Sequence, residues 1–150
     1  MKNLNQQLLN FGHTQNFKDE DYYVSSCNYY AFELINSWPK WEKNFLNIYG
    51  EKNSGKTHLA SIFLKKSKSK NINAHSFNNE SLNDIKIYEN IVLDNFDENI
   101  NERLVYSLFN IIDQDNKYLL INSLVPINEI NFDLDDLKSR SKNCLFAKIE

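Results

Sequence analysis

The sequence predicts an α/β domain in three layers, a parallel five-stranded sheet between helices, and three observations carry that prediction. Short apolar runs suited to buried strands alternate along the chain with stretches of helical apolar spacing. The run Phe45-Leu46-Asn47-Ile48-Tyr49 enters Gly50-Glu51-Lys52-Asn53-Ser54-Gly55-Lys56-Thr57 directly, and Leu59, Ala60, Ile62, Phe63 and Leu64 follow at helical spacing. Strand, loop and helix in that order are what a phosphate-binding loop requires. The third observation is Ile91-Val92-Leu93-Asp94, an apolar strand closed by a carboxylate.

Residues 1–21 are polar and aperiodic and read as a flexible arm, which leaves 22–150 as the core. A helix is expected from Asn28, as N-cap, through Ala31, Phe32, Leu34 and Ile35 to about Trp38, where Pro39 stops it. Strand one then runs into the loop. The lysines of the 65–70 run read as the solvated end of the following helix, complementing its negative pole. Ile72 to Phe77 is expected as strand two and Ile91 to Asp94 as strand three, with a short polar segment between them. Leu104, Val105, Leu108, Ile111 and Ile112 make residues 101–114 an amphipathic helix. Tyr118 to Asn122 and Cys144 to Ile149 complete the sheet as strands four and five. In a parallel sheet of this kind the ligand lies beyond the carboxyl ends of the strands, so motifs at those ends should converge on the loop.

The loop explains where the chain spends its glycines. Only three occur, and Gly50 and Gly55 bracket the motif. Glycine is needed where backbone takes positive φ or approaches a phosphate closely. The backbone NH groups around Asn53 and Ser54 would cradle phosphates, Lys56 would reach the β and γ oxygens, and the Thr57 hydroxyl would ligate Mg²⁺. The helix that starts at Lys56 adds its positive dipole end. A chance match to the motif in a chain of this length is roughly a 1% event, given average glycine usage.

Asp94 stands where a carboxylate would hold Mg²⁺ directly or through water. Asn95 follows it, and an amide cannot serve as general base; Asp97 lies two residues further on. Hydrolysis is therefore less secure than binding. Asn122 ends strand four, where a polar side chain could sense the γ-phosphate or simply close the strand. Arg140 belongs to a chain with only two arginines. Its planar fork could grip phosphate oxygens, and a surface position is the alternative.

The 150 residues, 17.7 kDa, suit one domain with an ordinary core. A net charge of −3 with a pI near 5.6 gives no global reason to expect nucleic-acid binding. Cys27 and Cys144 show no metal spacing and suggest two free thiols in a reducing cytoplasm. No apolar run approaches a membrane span.

Taken together these residues resemble the AAA+ ATPase core of the replication initiator DnaA, and more closely its shorter relatives, the Hda/HdaA regulators. The likeness runs through most of the chain. Tyr22 to Asn28, which includes Val24, resembles the segment bordering adenine. Trp38-Pro39-Lys40-Trp41 resembles a Trp-Pro-x-Trp of alphaproteobacterial HdaA proteins, and His58 follows Thr57 as in the family's extended loop. Leu93-Asp94-Asn95 resembles the Asp-Asn Walker B of Hda-type proteins rather than the Asp-Asp of DnaA. Leu137-Lys138-Ser139-Arg140 matches the arginine-finger segment. Gln6-Gln7-Leu8-Leu9-Asn10-Phe11 resembles the peptide by which Hda-type proteins bind the replicative sliding clamp, with Gln6, Leu9 and Phe11 as anchors.

The resemblance implies a regulator that binds ATP or ADP with Mg²⁺, engages the clamp and promotes hydrolysis of DnaA-bound ATP, with Arg140 acting in trans. A second copy of the chain, as a homodimer, is a further candidate partner. The chain stops at Glu150, so the family's small helical lid is expected to be missing, as is the helix-turn-helix that would read DNA sequence. An autonomous ATPase of helicase-loader type and a degenerate module that binds no nucleotide remain the alternatives.

Overall fold

Along a strand, successive side chains point to opposite faces, and here the central strands are apolar on both. In the computed structural model, which describes residues 24–150, these strands are β1 (Phe45–Tyr49), β3 (Asn90–Phe96) and β4 (Tyr118–Ser123). β2 (Ser69–Asn73) and β5 (Leu145–Lys148) form the edges, and all five strands pair in parallel in the order β2-β3-β4-β1-β5. Parallel neighbours need crossovers, and the helices supply them. They are α1 (Tyr29–Ser37), α2 (Lys56–Leu64), α3 (Asn79–Asp84), α4 (Glu102–Gln114) and α5 (Asp135–Arg140). Short 3₁₀ turns lie at Ile85–Ile87 and Ile127–Glu129. The expected arm, with Gln6, Leu9 and Phe11, falls outside the described residues.

Two apolar clusters separate the layers. Leu46 and Ile48 of β1, Val92 and Leu120 pack with Ala31 and Ile35 of α1 and with Leu59, Ile62 and Phe63 of α2. Phe45, Ile91, Leu93, Leu119 and Ile121 face the other way, onto Val105, Leu108, Phe109 and Ile112 of α4 and Leu137 of α5. Each large side chain withdrawn from water contributes about 1.5–3 kcal/mol. The Trp-Pro-x-Trp segment belongs to the first layer. Trp41 stacks on Phe63 with ring centroids 5.4 Å apart and donates its indole N–H to Leu34 O at 2.6 Å. Trp38 meets Phe63 and Tyr118 edge-on. The motif thus anchors the link from α1 to β1 beneath α2.

Four local expectations change. Asn28 does precede α1, but its side chain accepts from Ser25 N at 2.9 Å, bracing the turn before the helix instead of capping it. The lysine-rich run is a helix end only at its start, where Lys65 caps α2 and Lys66 N–H donates to Phe63 O at 3.1 Å. α2 closes at Leu64, and strand two, expected over Ile72 to Phe77, instead runs Ser69–Asn73 and begins inside the run. An edge strand pairs on one side only, and lysines there discourage pairing with a second chain. The polar segment before β3 contains α3, which buries none of its own residues and is carried by a capping box between Asn78 and Ser81. Asn47, within an apolar run, is fully buried. Its amide donates to Ile121 O and to Ser123 Oγ, both at 2.9 Å, and accepts from Ile127 N at 2.9 Å. It thereby ties the strand entering the phosphate loop to the turn leaving β4.

Cys27 and Cys144 are free thiols, the first exposed and the second buried. Burial pushes the Cys144 thiol up to about 12, with Lys43 opposing the shift, so it stays protonated near neutrality. No helix of the described residues is long and apolar enough to cross a membrane.

Candidate nucleotide site

Because β1 lies between β4 and β5, the loop leaving β1 opens beside the carboxyl ends of β4 and β3. A cavity of about 520 Å³ lies there. Lys52, Asn53, Lys56 and Thr57 border it from the loop and α2, Asp94 to Asp97 from β3, and Asn122 to Leu124 from β4. Asn73, the last residue of β2, and His75 just beyond it close the remaining side.

The loop's two glycines divide their duties. Gly55 has φ 105°, a left-handed conformation that turns the chain into α2. Asn53 shares the requirement with φ 63°, which asparagine tolerates better than most residues. At Gly50 the need is space. A Cβ there would lie 2.1 Å from Ile149 O, so glycine lets the loop lie against the chain leaving β5. Gly50→Ala is expected to lower stability by about 1–3 kcal/mol, the range for an overpacked site that must move backbone. The shift in urea midpoint measures it, and an unchanged midpoint would show that β5 yields freely.

Lys56 Nζ donates to Gly50 O at 2.6 Å and Glu51 O at 2.8 Å, so the ammonium sits inside the curl of the loop. Burial lowers its pKa, and the charge of Asp94 partly offsets that. Thr57 is exposed in the first turn of α2, where the helix dipole favours an anion. Asp94 accepts from Asn95 N at 3.0 Å and from the Asn122 amide at 3.4 Å. The same amide donates to Lys56 O at 3.3 Å, so Asn122 links β3, β4 and the start of α2. Its own Oδ1 is buried without a partner. A buried orphan acceptor is costly unless a ligand or water completes it.

This donor set fits a magnesium nucleotide. Mg²⁺ takes one or two protein oxygens and keeps several waters. Thr57 and Asp94 would supply those oxygens, and the Asn122 acceptor fits a water of the ion's shell. When bound, the ion would neutralise charge on the β and γ oxygens.

The structure brings Asn53, Lys56, Thr57, Asp94 and Asn122 together around one cavity. Gly50, Ser54 and Gly55 shape its loop. Val24 and His58 are partly buried and are not among the lining residues; Val24 packs on the cluster beneath α1 and α2. Arg140 also lies apart. At the end of α5 its guanidinium donates to Asn110 Oδ1, meets Asp113 at 3.6 Å and lies over the Tyr106 ring, all on α4. Sequence reasoning missed Asn73 and His75. Their signal was position alone, at the carboxyl end of an edge strand whose boundary was misplaced.

No protein-family model matches the chain, and no curated protein matches it by sequence. Its architecture is nevertheless shared with solved structures. AMPPCP-bound DnaA from Aquifex aeolicus superposes with a TM-score of 0.74 at 21% identity, covering 87% of this chain and 49% of that one. The chain shares the three-layer α/β fold of that structure. Domain III of the Thermotoga maritima replication initiation protein DnaA gives 0.67 at 23% identity, covering 87% and 65%. DnaI gives 0.64 at 14% identity, covering 84% and 83%. The chain spans about half the length of the first initiator structures it matches, with 49% of each covered. Within this shared fold, the cavity between the phosphate loop, β3 and β4 is where the sequence motifs meet.

Proposed function

We propose that the chain is an ATP- or ADP-binding regulator of replication initiation, one that promotes hydrolysis of ATP bound to DnaA while tethered to the sliding clamp. The observation that carries the reading is the cavity itself: Lys56, Thr57, Asp94 and Asn122 converge on it, in a fold shared with a DnaA that binds AMPPCP. Two sequence features supply the rest. The Asp94-Asn95 pair favours a regulator over an initiator, and Gln6, Leu9 and Phe11 form a peptide of clamp-binding type. In such peptides two apolar anchors fill a pocket and the glutamine adds directional hydrogen bonds. Arg140, remote from its own cavity, is available to a neighbour's nucleotide.

The test is release of phosphate from labelled ATP preloaded on DnaA, with clamp loaded on DNA and the chain added. The native chain is expected to accelerate release only when the clamp is present. Gln6→Ala combined with Phe11→Ala should reduce that acceleration about tenfold, the loss of an anchor worth about 1.4 kcal/mol. Equal acceleration by both proteins, or none by the native chain, would sink the tethered mechanism.

A further inference from the structure

β3 does not end as a regular strand. Leu93 pairs with Ile121 but Phe96 pairs with Ser123, so three steps on β3 match two on β4 and one residue bulges out. Asn95 takes the bulge with φ 58°, its N–H turned back onto Asp94 Oδ1. A bulge re-aims the side chains that follow it. Without it, Leu93 and Phe96 would lie on opposite faces of the sheet. With it, both enter the same apolar cluster, and Asp97 borders the cavity along with Asp94.

Across the cavity wall stands His75. Its Nε2 is 3.1 Å from Asp97 Oδ2. Its backbone N–H is held by Asn73 Oδ1 at 2.9 Å, and the preceding Ala74 N–H donates to Asp94 O at 2.8 Å. The imidazole meets the end of β3 through the Asp97 carboxylate, and the backbone beside it is tied to β3 through Ala74. With Nε2 directed at a carboxylate, Nδ1 is the ring nitrogen left to take a proton. Lys52, Lys56 and Asp94 are the other charged groups bordering the cavity.

We propose that His75, oriented by Asp97, is the general base for hydrolysis of the nucleotide in this chain's own cavity, replacing the carboxylate that Asn95 lacks. The inference rests on the reading of the cavity as an ATP site. A water oxygen attacks the γ-phosphorus, and the bond from that phosphorus to the β–γ bridging oxygen breaks. The bonding electrons leave on ADP, the water's proton passes to His75 Nδ1 and then to solvent, and inorganic phosphate departs. A histidine held by a carboxylate is oriented for this transfer, and general-base catalysis typically contributes 10²–10⁴-fold. Hydrolysis in cis would return the regulator to its ADP form without any partner.

The experiment is single-turnover release of labelled phosphate by the whole chain alone, alongside binding of AMPPCP. His75→Gln is expected to bind the analogue within about twofold of the native chain and to hydrolyse ATP about 100-fold more slowly. Asp97→Asn should slow turnover about tenfold at unchanged affinity, with Asp97→Glu restoring part of the loss, which a purely structural role would not produce. Native turnover by His75→Gln, or a native chain that binds ATP and releases no phosphate, would overturn the proposal. A native chain that binds no analogue would overturn the nucleotide reading itself and this inference with it.

Discussion

Under the proposed function, Arg140→Ala is expected to reduce stimulation of ATP hydrolysis on DnaA by about 10³-fold, the scale on which an arginine supplied in trans stabilises phosphoryl-transfer charge. The chain's own nucleotide affinity should stay within about twofold, because Arg140 packs from the end of α5 against Tyr106, Asn110 and Asp113 of α4 and lies outside the chain's own cavity. Those contacts do not prevent the role. Asp113 is 62% exposed, and an exposed ion pair contributes about 1 kcal/mol or less, so the guanidinium can leave it for a phosphate at small cost. Arg140→Lys should fail to rescue, since a point charge cannot reproduce a planar fork. Phosphate release from preloaded DnaA measures the effect, with a melting curve to confirm that α5 still packs. Stimulation that survives Arg140→Ala would remove the trans-acting arginine from the mechanism.

The architecture was readable wherever burial dictates pattern. β1, β3 and β4 are buried on both faces, so they appear as continuous apolar runs, and α4 shows its apolar stripe because one side meets the sheet. Where structure depends on polar contacts or on pairing at a distance, pattern fails. α3 has no apolar face to announce it and exists through the reciprocal Asn78 and Ser81 bonds. β2 starts among serine and lysine because an edge strand needs no burial on its open side. The site divides along the same line. Lys56, Thr57 and Asp94 sit in contiguous motifs whose chemistry demands their spacing. His75 and Asp97 come together only through a one-residue bulge in β3, which no periodicity in the sequence marks. Asn47 reads as part of a strand, and its role in holding Ser123 and Ile127 emerges only once β1 and β4 are known to be neighbours.

Lys56→Ala is expected to weaken ATP binding by about 10²–10³-fold, because charge-assisted hydrogen bonds contribute about 1.5–3 kcal/mol each and the ammonium would serve both β and γ oxygens. ADP should lose less, lacking the γ oxygens. The ammonium now lies within the loop on the carbonyls of Gly50 and Glu51, so no lysine rotamer has to be found from free solution when a phosphate arrives. That pre-placement carries a cost, visible in the lowered pKa that burial imposes. The unfolded chain holds its proton up to lysine's ordinary 10.5 while the folded chain releases it earlier, so just below that value folding stability rises with pH. Nucleotide affinity should move the other way over the same window, since the phosphates require the charged form. Titration calorimetry with ATP and ADP, on the native chain, Lys56→Ala and Lys56→Met to retain the apolar stem, measures the affinities, and urea unfolding across the same pH window measures the stability. If either variant binds ATP within about threefold of the native chain, the curl that holds Lys56 is only a structural turn, and the cavity beside it has lost its strongest claim to a nucleotide.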